Sequence, residues 1–330
     1  MKKKKKKIVD PMRFALGIAF AALLLVTVVL LIAVLSCNGC FAAQKEAAAP
    51  TELPTPVLTP APTEAPTPVP TATPEPTWEG LHLSEIERYV RAYGNCADEA
   101  AIEARMATMA VDPEKKLVAF TFDDGPRTGI TDQILDIAEE YGVRVTFFIK
   151  GDNIASHEEQ LMRMLSLGCE IGNHTWNHTN VEELSAEQMR DEIGKVNDEI
   201  YNRFGYRIHL FRPPYIKYGS KGDETRNALI ALMNEWDMAV INHTRSTHDT
   251  YDSYTADMIY ERGVLETDEL GKGLDRSIIL CHDKQQKTVD AFKKIVPELL
   301  SRGYQLVTVT ALLHYSEDGF HAGWIYSSAN

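Results

Sequence analysis

Two adjacent carboxylates, Asp123 and Asp124, end the apolar run 117–122 and stand directly before Gly125-Pro126. Side by side at the exit of a buried strand, they repel unless a cation or an arginine compensates one of them. His174 and His178 are four residues apart, a spacing that places both imidazoles on one side of a helical turn, as zinc sites require. One Asp oxygen with two His nitrogens leaves positions open for water and substrate, the arrangement of catalytic rather than structural zinc. His282 closes a further apolar run in Leu280-Cys281-His282-Asp283, and Arg212 precedes Pro213-Pro214-Tyr215. Each group alone has a plainer explanation. Paired Asp make solvated turns, paired His sit on surfaces, a lone His packs into a core, and an Arg caps a strand. Four such groups at the ends of four different apolar runs strengthen one another.

The elements that must position them alternate. Short apolar runs at 117–122, 144–149, 170–173, 208–212, 238–242, 277–281 and 305–309 predict seven strands. Between them, amphipathic stretches at 131–141, 156–167, 186–204, 225–235, 255–265 and 288–301 predict helices, and 310–315 a short closing one. Such alternation implies a parallel sheet with helices outside, because parallel strands need crossovers. Seven units suit an α/β fold, either an incomplete barrel or a doubly wound sheet. In a (β/α) barrel the loops at the C-terminal strand ends build the active site, and that is where the four groups fall.

In their order and context, TFDDGP, HTWNH, RPPY and LCHD resemble the NodB-homology polysaccharide deacetylases, carbohydrate esterase family 4. TFFIKGDN after the second strand and EIGNHTWNHTNVEEL around the histidines extend the resemblance over 112–315. It implies a distorted (β/α)7 barrel and removal of acetyl groups from a polysaccharide with a divalent metal, commonly zinc, cobalt or another divalent ion being alternatives. In those terms Asp124, His174 and His178 hold the metal, which polarises the acetyl carbonyl and acidifies water. Asp123 is the base and Arg212 keeps it ionised and oriented. The backbone N–H of Tyr215 meets the oxyanion, Leu280 packs beside the acetyl methyl, and His282 protonates the departing amine.

One motif departs from the family pattern. After the fifth strand the family has Asp-x-x-Asp-Trp, whereas this chain reads Ser246-Thr247-His248-Asp249-Thr250. Asp249 is the expected orienter of His282, with Asp252 as the alternative. The missing tryptophan removes one wall of the substrate groove, which Trp176 or Tyr218 could replace as a sugar-stacking surface. Retention of Asp124 resembles the glucosamine-directed members, so peptidoglycan is the expected polymer, with chitin oligomers, poly-N-acetylglucosamine and acetylxylan as alternatives. A catalytically silent saccharide-binding module is the alternative of a different class; it would be expected to have lost a metal ligand or the base.

The rest of the chain reads as presentation. Residues 1–13 carry Lys2 to Lys7 and Arg13 against Asp10, a net +6, so the remaining 317 residues hold −19 of a total −13. A chain so acidic outside its first residues is a poor nucleic-acid binder. The 22 uncharged residues at 14–35 are long enough to span a bilayer, and the lysines before them put 1–13 in the cytoplasm and the remainder outside. Val34-Leu35-Ser36-Cys37 resembles a lipoprotein cleavage box, an alternative anchor. Residues 36–77 form an extracellular linker; 50–77 holds ten of the sixteen prolines and favours an extended stalk. Residues 78–111 read as a helical lead-in, 112–316 as the deacetylase domain and 317–330 as a C-terminal tail. Five cysteines make no disulfide scaffold.

Overall fold

The computed structural model describes residues 78–219, 222–268 and 270–329. The span expected at 14–35 and the linker at 36–77 lie outside these residues. Among the described residues, no helix is long and apolar enough to cross a membrane.

Two lead-in helices, α1 (Trp78–Tyr93) and α2 (Glu99–Ala107), precede the sheet. Then follow β1 (Lys116–Asp123), α3 (Thr131–Tyr141), β2 (Thr146–Ile149), α4 (Glu158–Ser166), β3 (Glu170–Asn173), α5 (Ala186–Phe204) and β4 (Leu210–Phe211). The second half comprises α6 (Asp223–Glu235), β5 (Ala239–Ile241), β6 (Arg245–Ser246), α7 (Ala256–Val264), β7 (Ser277–His282), α8 (Gln286–Ser301), β8 (Tyr304–Leu306), α9 (Val309–His314) and β9 (Ile325–Tyr326). The strands run in the order β6-β7-β1-β2-β3-β4-β5-β9, with β8 paired to the start of β1. Every strand pairing is parallel.

Side-chain alternation along the strands decides what faces the barrel axis. In β1, Val118, Phe120 and Phe122 join the core under the helices, while Leu117 and Ala119 join the cluster that fills the lumen. The same parity carries Thr121 and Asp123 to the lumen side. In β7, Ile279 and Cys281 pack outward and Ile278 inward, so Leu280 and His282 share the inner face. Register then sets Asp123 beside His282 and Thr121 beside Leu280. Gly172 of β3 is small for a reason: a Cβ there would lie 2.5 Å from the ring of Phe148. The lumen is filled from below by Val309, Leu312 and Leu313 of α9.

Three expectations are corrected. The last strand ends at Leu306 rather than 309, because the Thr308 side chain accepts from Ala311 N–H and starts α9. The fourth strand is only two residues long; beyond it Arg212 turns inward and two prolines follow, which cannot donate to a ladder. The 317–330 segment is not merely a tail. Its β9 pairs with β5, and Thr244 Oγ1 donates to Ser327 O at 2.6 Å while Ser328 bridges Ser277. It thereby covers the gap between β5 and β7, where the chain spends only three residues before β6.

The lead-in forms its own small cluster of Ile86, Val90 and Met109. Tyr89 joins it to the main core beside Tyr206, ring centroids 5.8 Å apart. Burial, with Arg144 and His314 nearby, lowers the pKa of His82 on α1 to about 4.

Candidate active site

The end of β1 delivers the two aspartates to different tasks. Asp123 is 3% exposed, and its Oδ1 accepts from Arg212 Nη1 at 2.8 Å. Arg212, at the end of β4, is fully buried. Its guanidinium also donates to Thr121 Oγ1 and to the carbonyls of Ile241 and Asn242, and lies 4.1 Å over the ring of Phe148. Four hydrogen bonds from all three nitrogens fix Arg212, which fixes Asp123 in turn.

Asp124, beside Asp123 whose Oδ2 lies 3.8 Å from His174 Nε2, takes a left-handed backbone, φ 78, as the chain leaves β1. Its Oδ1 lies 3.0 Å from His178 Nε2 and 3.5 Å from His174 Nε2. The histidines do not reach it from a helical turn, as the spacing suggested. They lie on the irregular segment after β3, where Thr175 and His178 both have positive φ. The Thr175 N–H is held by Asn173 Oδ1, and Glu192 of α5 accepts from the N–H groups of Trp176 and Asn177. The loop bends because these partners replace helical hydrogen bonds. His174 Nδ1 donates to Arg212 O at 2.6 Å, which leaves Nε2 with its lone pair toward Asp124.

Electrostatics follow the geometry. Burial works against the charge on Asp124, but the surrounding imidazoles, led by His178, outweigh it and hold the carboxyl well below its usual range. Burial lowers the His174 pKa against the pull of Asp123 and Asp124. The donor atoms of Asp124, His174 and His178 all lie within 4.8 Å of one another. Asp124 Oδ1 is buried with no hydrogen-bond donor in good geometry beyond the nearby imidazoles, a buried acceptor that calls for a partner. One oxygen and two imidazole nitrogens around such an atom fit a borderline divalent cation.

Across the strand end, His282 Nδ1 donates to Asp249 Oδ1 at 2.9 Å, and the His282 N–H to Asp249 Oδ2 at 2.7 Å. Thr288 Oγ1 completes the hold on that carboxylate. Asp249, not the exposed Asp252, is therefore the residue brought to His282. Burial tends to lower the His282 pKa, but the hydrogen bond and charge of Asp249, aided by Asp123 and Asp124, raise it above the ordinary value. Leu280 is 8% exposed on the same inner face. Tyr215, at φ 61, is 63% exposed with its ring edge-on to His178 at 4.8 Å.

Trp176 stands differently from its expected role as a sugar platform. The Lys195 ammonium lies 3.6 Å over its ring, and the indole also presses on Gly151, where a Cβ would come within 2.3 Å. Tyr218 likewise packs half-buried against the core. Both rings are used in packing, and the Tyr218 hydroxyl also accepts from Asn242 Nδ2 at 3.4 Å. Residue types alone missed Lys284, whose Nζ donates to Asp124 Oδ2 at 3.0 Å, and Asn153, whose Nδ2 donates to the carbonyls of Asp124 and Gly125. The GDN that contains Asn153 was legible only as flanking text. Cys281 is a buried thiol whose pKa burial pushes well up, a packing group rather than a reactive one.

Comparison with known proteins agrees with this geometry. The family model for polysaccharide deacetylase matches residues 110–232. Peptidoglycan-N-acetylmuramic acid deacetylase PdaC of Bacillus subtilis is 35% identical over 202 residues, 61% of this chain and 40% of that protein. A peptidoglycan-N-acetylglucosamine deacetylase of Bacillus cereus is 32% identical over 209 residues, 62% of this chain and 70% of that one. The chain thus spans well under two thirds of the former relative's length. Among solved structures, a family 4 acetyl xylan esterase from Clostridium thermocellum with a cobalt ion is 31% identical, with a TM-score of 0.54 over 64% of this chain and 98% of that one. By its motifs, its curled parallel sheet and these relatives, the chain belongs to the polysaccharide deacetylase family, the NodB-type carbohydrate esterases of family 4.

Proposed function

We propose that the chain is a metal-dependent deacetylase that hydrolyses N-acetyl groups of peptidoglycan N-acetylglucosamine outside the cell, releasing acetate. The observation that carries this reading is the convergence of three pairings at one strand edge: Asp124 with His174 and His178, Asp123 with Arg212, and His282 with Asp249. Asp124, His174 and His178 would hold the cation, zinc by donor type. When bound, it polarises the acetyl carbonyl and lowers the pKa of water.

The chain's own groups supply the proton traffic. Asp123, kept ionised by Arg212, takes a proton from the attacking water as its oxygen bonds the acetyl carbon. The backbone N–H of Tyr215 donates to the developing oxyanion. His282, protonated and held by Asp249, gives its proton to the nitrogen as the C–N bond breaks, since an unprotonated amine leaves poorly. Leu280 borders the methyl group. The names of the two Bacillus relatives support peptidoglycan as the polymer: each is called a peptidoglycan deacetylase, one of muramic acid and one of glucosamine. The uncharged stretch 14–35 behind its lysine block supports a single-pass anchor that holds the domain near that wall.

The test joins metal content to acetate release. About one divalent ion per chain, with acetate released from peptidoglycan but not from chitin pentamer, is the expected result. Release from acetylxylan alone would overturn the substrate, and no release from any acetylated polymer would leave only a binding module. His178→Ala should lower both the bound metal and the acetate.

The pH dependence has a definite sign. His282 must be protonated to act, and its pKa is raised, so activity falls as pH climbs through that raised value. Asp249→Asn removes the leading cause of the rise. The alkaline limb of the kcat/KM profile should therefore move to lower pH. An unmoved limb would assign it to another group.

A further inference from the structure

We infer that Tyr251, braced by His248 and Tyr254, is the platform on which a sugar ring of the polymer stacks on the leaving-group side of the site. This rests on the deacetylase reading, which divides the site into two poles. The acetyl pole lies at Asp124, His174, His178 and Leu280. The sugar is joined through the nitrogen that His282 protonates, so the polymer must leave the site over the elements behind His282. The partner of His282, Asp249, comes from the loop after β6, and two residues further on that loop exposes Tyr251.

The loop is built to hold that ring out. Tyr251 is 54% exposed. Its ring centroid is 5.0 Å from that of His248 and 5.6 Å from that of Tyr254, which is itself stacked at 29° on His248 at 5.5 Å. The Tyr251 N–H donates to His248 O, and the Tyr254 N–H to Tyr251 O. From α8, Lys287 Nζ donates to the carbonyls of Tyr251 at 2.7 Å and of Tyr254 at 3.2 Å. Tyr254 packs against the core. An exposed aromatic with its backbone and neighbours already fixed loses little freedom when a ligand covers it. A hexosamine ring offers an apolar C–H face to such a ring, and the tyrosine hydroxyl can meet its rim. Of the other aromatics near the site, Trp176 and Tyr218 are packed, and Tyr215 stands against His178 at the acetyl pole.

The test measures affinity apart from chemistry. The full-length chain in mild detergent is titrated with N-acetylglucosamine pentamer by calorimetry, as wild type, Tyr251→Ala, Tyr251→Phe and Tyr251→Trp. Tyr251→Ala should bind about tenfold more weakly, while the aromatic variants stay within about threefold of wild type. On a polymer that is turned over, the loss should fall on KM rather than on kcat. Equal affinity in Tyr251→Ala, equal loss in all three variants, or no pentamer binding by the wild type would each overturn the platform. Pentamer binding through Tyr251 with no acetate released from any acetylated polymer would overturn the deacetylase reading and leave the platform standing.

Discussion

Asp123→Asn should cut acetate release by about a thousandfold, within the range that a positioned general base contributes. The substitution keeps an oxygen in place to accept from Arg212 Nη1, which now reaches Asp123 Oδ1 at 2.8 Å. Shape and hydrogen bond survive; the ability to take a proton does not. Metal content should stay near that of the wild type, because the proposed ligand set is Asp124, His174 and His178. His282→Gln should be comparably inactive on an amide, and the double variant only slightly worse than either single one, because groups acting in one step are not additive. Acetate release close to wild type from Asp123→Asn would remove Asp123 from the role of base.

Arg212→Met should be the most destabilising single change at the site. The guanidinium is fully buried and serves Thr121, Asp123 and the carbonyls of Ile241 and Asn242. A methionine fills much of the volume but leaves a buried carboxylate and two carbonyls without their donors. Breaking a buried pair from one side costs about 3–5 kcal/mol, which for a domain of this size lowers Tm by about 10 °C. Arg212→Lys should recover only part of this, since one ammonium cannot reproduce a planar fork. The urea midpoint and Tm of the three proteins check the order. A wild-type midpoint in Arg212→Met would mean that the strand ends are held by packing alone.

The two predictions separate roles that adjacent residues share. Asp123 and Asp124 are indistinguishable by type, and a pair of carboxylates after an apolar run says only that something must compensate them. Backbone geometry assigns the tasks. Asp123 is the last residue of β1 and follows its inward parity, while Asp124 leaves the strand at φ 78 toward the histidines.

Much of the site was legible because the strands are short and buried. Apolar runs of the kind at 117–122 and 277–281 stop where a polar residue can be tolerated, which is the mouth of the barrel. The polar residues after four of the seven runs therefore mark the site without any knowledge of the fold. The His174–His178 spacing brings the two imidazoles together, but by another route than the one it suggested. Four residues span a helical turn, and they equally span a loop whose bends are stabilised by Asn173 and Glu192. Local spacing does not distinguish the two.

What escaped was set by partners distant in sequence. Lys284 gives no sign of Asp124, 160 residues away. The closing role of Ile325–Tyr326 depends on the gap left between β5 and β7. The stacking value of an aromatic depends on which face remains open. Trp176 lost its open face to Lys195, whereas Tyr251 kept its own.

By itself, then, the sequence determined the strand–helix alternation, the chemical types at four strand ends and, through its motifs, the family. These are properties of short windows, in which apolar periodicity and residue type act without reference to the rest of the chain. Only the tertiary structure decided which aspartate lies nearest both histidines, that Asp249 rather than Asp252 holds His282, and which rings stay exposed. Those outcomes depend on strand register, on left-handed turns and on burial by remote segments, all of which arise only once the sheet has curled and brought separate strand ends to one edge.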